Sequence, residues 1–266
     1  MFDRFNRRIE YLRVSVTDRC NLRCVYCMPE TGADLIPRKE ILSFEEIRAV
    51  VSEAADLGIT KVRLTGGEPL VRQDIVTLVS MLAGVNGITD LAMTTNGSLL
   101  TGLAEPLRKA GLHRLNISLD TVDAARYRSL TRGGDINAVL AGIRAAMTAG
   151  FARIKLNCVV ERSSDEPNAS AVADFAATNG LEIQFIRRMN MAEGMFWPVE
   201  GGHGGRCGEC NRLRLTSNGF LRPCLFADVE FNVRELGPRE AILRAIREKP
   251  ASGTASRQGA FYTVGG

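Results

Sequence analysis

The chain has only two histidines and one tryptophan, and aromatic residues make up 6% of its 266 positions. No uninterrupted apolar run reaches the ~18 residues of a bilayer span, so no membrane crossing is expected. Neither sign of charge dominates. Lys and Arg number 34 against 30 Asp and Glu, and a net +4 does not imply nonspecific binding to nucleic acid. Internal repeats beyond an alternation of elements, and long low-complexity tracts, are missing too. The first ten residues are polar and charged rather than a signal peptide, so a cytoplasmic location is expected. An even cysteine count is lacking as well. Seven thiols without an export signal argue against a disulfide framework.

What remains is a globular composition, 45% hydrophobic and 24% charged, long enough for one or two domains. Short runs rich in Val, Ile, Leu and Thr at 11–17, 59–65, 88–94, 113–119, 152–160 and 181–186 read as strands buried on both faces. Helical patterns separate them. Ser43 and Glu46 form a capping box ahead of Ile47, Val50, Val51, Ala54 and Leu57, and Gly58 ends that helix. Similar patterns occupy 74–82, 99–110, 136–149 and 170–178, and Gly111, Gly150 and Gly180 close three of them. Six strand–helix units predict an α/β fold, a partial (β/α)6 barrel of the TIM type, with chemistry at the C-terminal ends of the strands. The barrel is expected over 1–189. From 190 to 266 the pattern breaks into a short C-terminal extension: a Gly-rich loop, a hairpin or loop over 207–224, and a helix near 239–248.

The cysteines fall into two triads and a singleton, Cys158. Cys20, Cys24 and Cys27 follow the first strand. Three thiolates can hold a [4Fe–4S] cluster and leave one iron open. A zinc site wants a fourth ligand, and His113 and His203 lie far away in sequence. Cys207, Cys210 and Cys224 form the second triad, in which His203 is the one candidate to complete a zinc site. Gly66-Gly67-Glu68-Pro69 follows the second strand, where paired glycines admit a close backbone approach.

The Cys-x3-Cys-x2-Cys loop after a first strand resembles the radical SAM superfamily. In that superfamily the open iron binds S-adenosylmethionine, and its cleavage yields a 5′-deoxyadenosyl radical. The stretches LRVSVTDRCNLRCVYCMP, VRLTGGEPLVR, TTNG, NISLDT, TRGG, IKLNCVV and CNRLRLTSNGFLRPCLF resemble one branch, the MoaA-type GTP 3′,8-cyclases of molybdenum-cofactor synthesis. The resemblance implies two [4Fe–4S] clusters. It places Tyr26, Gly66, Gly67, Glu68, Pro69, Ser118 and Met189 at S-adenosylmethionine. It places Arg13, Arg63, Thr94, Lys155, Arg212, Leu213 and Arg214 at a nucleotide substrate, GTP or a relative, whose ribose C3′ joins purine C8. The closing Gly265-Gly266 pair is implied to assist that rearrangement. A reductant such as flavodoxin or ferredoxin is implied as a partner, and a homodimer is left open.

Two departures from the branch stand out. Gln184 occupies a position where the resemblance implies a phosphate-binding arginine. The segment 190–206 is much shorter than its counterpart, which implies a rebuilt or more open substrate wall. A related enzyme with a different small-molecule substrate is therefore a second reading. A non-catalytic Fe–S or zinc module is a third, and it leaves the GGEP loop and the barrel without a purpose.

Overall fold

All six expected strands form, and their alternation with helices organises the chain. The computed structural model describes residues 1–257 and 261–264. In chain order the elements are β1 (Tyr11–Ser15), α1 (Phe44–Asp56), β2 (Lys61–Thr65), α2 (Ile75–Ala83), β3 (Asp90–Thr95) and α3 (Leu100–Lys109). Next come β4 (Arg114–Ser118), α4 (Ala124–Thr131), α5 (Ile136–Thr148), β5 (Ile154–Val160), α6 (Pro167–Thr178) and β6 (Glu182–Arg187). The remainder holds β7 (Arg212–Leu215), β8 (Phe220–Arg222), β9 (Phe231–Asn232), α7 (Val233–Leu236), α8 (Pro238–Arg247) and α9 (Phe261–Val264).

β1 to β6 pair in parallel, each with the next. β7 then returns to the far side of β1 and pairs with it in parallel, Arg13 beside Arg214. β8 and β9 continue antiparallel, so the sheet runs β6-β5-β4-β3-β2-β1-β7-β8-β9 with open edges. The expected hairpin over 207–224 exists, but it is more than an appendage. It extends the barrel sheet, and the first 189 residues and the rest share that sheet.

Strand alternation sorts the residues. Leu12 and Val14 on β1, Val62 and Leu64 on β2, and Leu213 and Leu215 on β7 are fully buried against the helices in one large core. Tyr11 and Arg13, Lys61 and Arg63, Arg212 and Arg214 turn to the concave face. Helix starts follow local chemistry. Ser43 Oγ accepts from the Glu46 backbone N–H at 3.1 Å while the Glu46 carboxylate accepts from the Ser43 N–H at 2.7 Å. α4 is a helix the periodicity did not announce. It is short and mostly polar, and Asp123 caps it by accepting from the Arg126 N–H at 2.7 Å.

The polar N-terminus has a structural task. Arg7 and Asp3 form an ion pair at 2.7 Å with side chains 5% and 0% exposed. The same guanidinium donates to the carbonyls of Cys207, Ala251 and Pro250 at 2.8, 3.0 and 2.6 Å. It thus ties the first residues to the second cysteine segment and the turn after α8. Removing one partner of a buried pair typically costs ~3–5 kcal/mol. Arg7→Ala should lose stability of about that size in urea unfolding, and a loss below ~1 kcal/mol would contradict the anchoring role.

Candidate functional site

The first cysteine loop sits at the C-terminal end of β1 and is braced from three sides. The Gly67 N–H donates to the Thr17 carbonyl at 2.7 Å, and the Glu68 N–H donates to the Arg19 carbonyl at 2.8 Å. A Cβ on Gly66 would lie 2.5 Å from the Thr17 oxygen, and one on Gly67 would lie 2.4 Å from the Arg19 oxygen. The two glycines therefore let the loop after β2 close on the loop that carries the cysteines. Glu68 is fully buried. It accepts from Thr95 Oγ1 at 2.7 Å, the Asn96 N–H at 2.6 Å and the Leu70 N–H at 3.0 Å. Burial pushes its carboxyl up to about 7 against those hydrogen bonds. Through these bonds its carboxylate braces the loops after β2 and β3. Pro69 opens the short 3-10 turn that follows.

Asp120, just past β4, supplies the third brace. Tyr26 Oη donates to its Oδ2 at 2.6 Å, and the Val159 N–H on β5 donates to its Oδ1 at 2.8 Å. Asp120 lay inside the NISLDT stretch, yet no role for it was apparent from sequence. Burial pushes Cys24 and Cys27 up to about 12, and it raises Cys20 as well. Asp120 and the neighbouring thiols add to the rise at Cys24.

The concave face of the sheet encloses a cavity of about 570 Å³. Its floor carries Arg214, Arg13 and Arg63 in register on β7, β1 and β2. Arg63 donates to Tyr11 Oη at 2.5 Å and to Thr94 Oγ1 at 3.2 Å. Desolvation, then Arg214, holds Arg13 well below the usual guanidinium range. Desolvation, then Arg212, draws Arg214 down to about 10. Burial alone would raise the Tyr11 phenol, but Arg63, Arg13 and Arg212 outweigh it and lower it. Charge elsewhere on this face is balanced by carboxylates: Lys61 by Glu10 at 2.6 Å, Arg114 by Asp90, and Lys155 by Glu182 at 3.0 Å. Like charge crowded into low dielectric is costly, and an anion in the cavity would lower that cost.

The second triad lines the same cavity. Lys249, only 1% exposed, lies behind it. Its Nζ donates to the Arg212 carbonyl at 2.7 Å and the Pro223 carbonyl at 2.6 Å, fixing the two backbones that carry Cys210 and Cys224. Burial alone would raise the Cys210 thiol, but Lys249 and Arg212 outweigh it and bring it down to about 7. Neither Arg7 nor Lys249 belongs to a recognisable motif. A lone lysine after an amphipathic helix reads as surface until the fold buries it. Among the described residues no three Cys, His, Asp or Glu side chains converge on a point that one metal ion could fill. A cluster gripped at separate irons does not ask for that convergence.

The remaining candidates separate. Arg13, Arg63, Thr94, Lys155, Arg212, Arg214 and Met189 line the cavity. Leu213 does not, because alternation turns its side chain into the core on the other face, where it is fully buried. Ser118 ends β4 beside Asn157, one residue before Leu119 and two before Asp120. Gln184 donates to Asn157 Oδ1 at 2.9 Å, which also accepts from Asn116 at 2.9 Å. The other β6-end arginines are engaged elsewhere: Arg188 pairs with Glu161 at 3.2 Å, and Arg187 stacks on Trp197. Gly265 and Gly266 lie outside the described residues. The nearby Tyr262 interacts with Asp34, Asp18 and Cys27, and Phe261 packs by Leu225 and Phe226 near Cys224.

Comparison with known proteins agrees with this geometry. The radical SAM superfamily profile matches residues 14–167. A GTP 3′,8-cyclase of Moorella thermoacetica is 41% identical over 306 positions, covering 94% of both chains. One of Thermodesulfovibrio yellowstonii is 39% identical over 304 positions, again covering 94% of each. Setting 304 aligned positions against 94% of 266 residues leaves about fifty positions without a counterpart here, so the chain is indeed shortened. Streptococcus suis SuiB, solved with S-adenosylmethionine, shares the fold at TM-score 0.67 and 16% identity, over 92% of this chain and 65% of that one. A native anSMEcpe with a bound peptide does so at TM-score 0.63 and 14% identity, over 91% and 81%. The chain belongs to the radical SAM superfamily and, within it, to the GTP 3′,8-cyclase family. That family uses S-adenosylmethionine and [4Fe–4S] clusters, and the two thiol triads suit all-thiolate cluster ligation.

The two triads should differ in reactivity before any metal is loaded. A thiolate, not a thiol, is alkylated. In apo-protein, Cys210 alkylation followed by mass spectrometry should rise through pH about 7, while Cys24 and Cys27 stay unreactive to pH 9. Lys249→Met should move the Cys210 profile upward. Equal profiles for all three thiols would contradict the assignment.

Proposed function

We propose that the chain is a radical SAM GTP cyclase that joins C3′ of the ribose to C8 of the purine. The observation that carries the reading is the in-register arginine row, which shares a single cavity with the second cysteine triad. When bound at Cys20, Cys24 and Cys27, a cluster with S-adenosylmethionine supplies a 5′-deoxyadenosyl radical. The chain's own residues position and shield. Arg13, Arg63, Arg212 and Arg214 hold the triphosphate, and Thr94 orients Arg63 through the hydrogen bond described above. Cys207, Cys210 and Cys224 hold the second cluster at the base end of the cavity. Tyr26, Gly66, Gly67, Ser118 and Met189 contact S-adenosylmethionine, with Glu68 and Pro69 shaping that loop.

Lys155 reaches substrate by exchanging its contacts to Glu182 and the Gly201 carbonyl, the latter at 3.3 Å. Phe261, shortly before Gly265 and Gly266, packs beside the second cysteine site, which supports their entry into the cavity. A low-potential donor such as flavodoxin or ferredoxin supplies the electron. Gln184 favours a second reading, a nucleotide with fewer phosphates. Its amide is bound to Asn157, and a Cβ on Gly202 would lie 2.5 Å from its Oε1, so the glycine-rich turn presses on the place of the missing cation.

Anaerobic reconstitution should give about eight iron atoms per chain. With dithionite, S-adenosylmethionine and GTP, it should give 5′-deoxyadenosine together with a 3′,8-linked nucleotide. Tightly bound zinc without iron would reject both readings. 5′-Deoxyadenosine formed independently of GTP, without cyclised product, would reject the first. Arg214→Ala should raise KM for GTP about 30-fold or more, from the ~2 kcal/mol or greater cost of truncating a buried charge contact. Its GTP-independent cleavage of S-adenosylmethionine should be unchanged, and an unaltered KM would remove Arg214 from the substrate site.

A further inference from the structure

The shortened segment 190–206 lines the cavity, and it carries the only tryptophan of the chain. Trp197 lines the main cavity and also a smaller one of about 240 Å³ behind it. Arg187 lines only the smaller one, and its guanidinium carbon stands 3.9 Å from the Trp197 ring centroid. The Arg187 Nε is buried with no hydrogen-bond partner, so the indole ring is the contact that holds this part of the side chain. This follows from alternation along β6, where Gln184 and Ile186 face the main cavity and Arg187 faces away.

The backbone is fixed as well. Gly205 has φ +76°, and a Cβ there would lie 1.9 Å from the Trp197 carbonyl oxygen. Gly205, two residues before Cys207, thus folds the glycine-rich turn directly onto the Trp197 backbone. Arg212, two residues before Arg214 on β7, meets the same turn by donating to the His203 carbonyl at 3.5 Å. One cavity therefore combines a polycationic floor with a rigid aromatic wall at its cysteine end. That combination fits a ligand with an anionic tail and a flat ring.

We infer that Trp197 is the base-recognition wall of this enzyme, stacking on the purine of the nucleotide, with Arg187 bracing the indole from behind. The inference rests on the nucleotide reading of the cavity and adds to it the residue that contacts the base. Base–aromatic stacking is tolerant of base identity. Trp197 accordingly sets a requirement for an aromatic base, and it does not choose guanine over adenine.

A single tryptophan makes the test direct. The reconstituted enzyme is titrated anaerobically with GTP, ATP and inorganic tripolyphosphate. Indole emission is followed alongside equilibrium dialysis. GTP and ATP should change the emission saturably, and tripolyphosphate should bind without changing it. Trp197→Ala should weaken GTP binding about tenfold and leave tripolyphosphate affinity unchanged, in line with the loss of one stacked base. Trp197→Phe, which keeps a ring in the wall, should recover most of the affinity. GTP binding that leaves wild-type emission unchanged, or a Trp197→Phe protein no better than a folded Trp197→Ala protein, overturns the inference while the nucleotide reading stands. Tripolyphosphate binding without any GTP binding overturns the nucleotide reading and this inference together.

Discussion

The structure turns on three arginines forced together by strand register. β7 returns to pair with β1, and that pairing sets Arg214 beside Arg13, with Arg63 one strand further on. Apolar residues at the alternate positions are locked into the helix-facing core, so the guanidinium groups cannot turn away from the cavity. The cost is visible in the lowered proton affinity of Arg13 and Arg214. A polyanion that entered the cavity would offset that cost, which is the physical basis of the proposed phosphate seat. Bulk charge, at +4, gives no hint of this local concentration.

The two thiol triads are prepared differently. Around the first, the neighbouring charged groups named above are carboxylates, Glu68 and Asp120, both engaged in hydrogen bonds that hold loops together. Burial therefore keeps the thiols protonated until a metal displaces the protons. Around the second, Lys249 and Arg212 supply positive charge, and Cys210 already lies near neutrality. The same Lys249 hydrogen bonds fix the backbones of the strand and the hairpin end that carry the ligands. Position and charge are thus set by one buried side chain.

Much of this was legible in the sequence. Six strands, the Ser43 and Glu46 capping box and both triads follow from periodicity, cap chemistry and thiol spacing. Arg212 and Arg214 sharing a face followed from alternation alone. The same alternation excludes Leu213, which a motif carries along regardless. Long-range pairing was not legible: nothing local says that 212–215 adds to β1. Arg7, Asp120 and Lys249 tie together segments 26 to 244 residues apart in sequence, where no motif connects the partners. The GGEP glycines, expected to admit a ligand, also admit the cysteine loop at close range, which no local pattern announces. Shortening at 190–206 implied a missing or rebuilt wall. The fold rebuilds it with glycines that press on Gln184 and Trp197.

The central claim is that the arginine row is the seat of the phosphate chain. Binding of guanosine, GMP, GDP and GTP to the reconstituted enzyme by anaerobic calorimetry tests it without reference to turnover. Each added phosphate engages charged donors that stay ionised, so affinity should rise about tenfold or more per phosphate. Guanosine binding as tightly as GTP would contradict the claim.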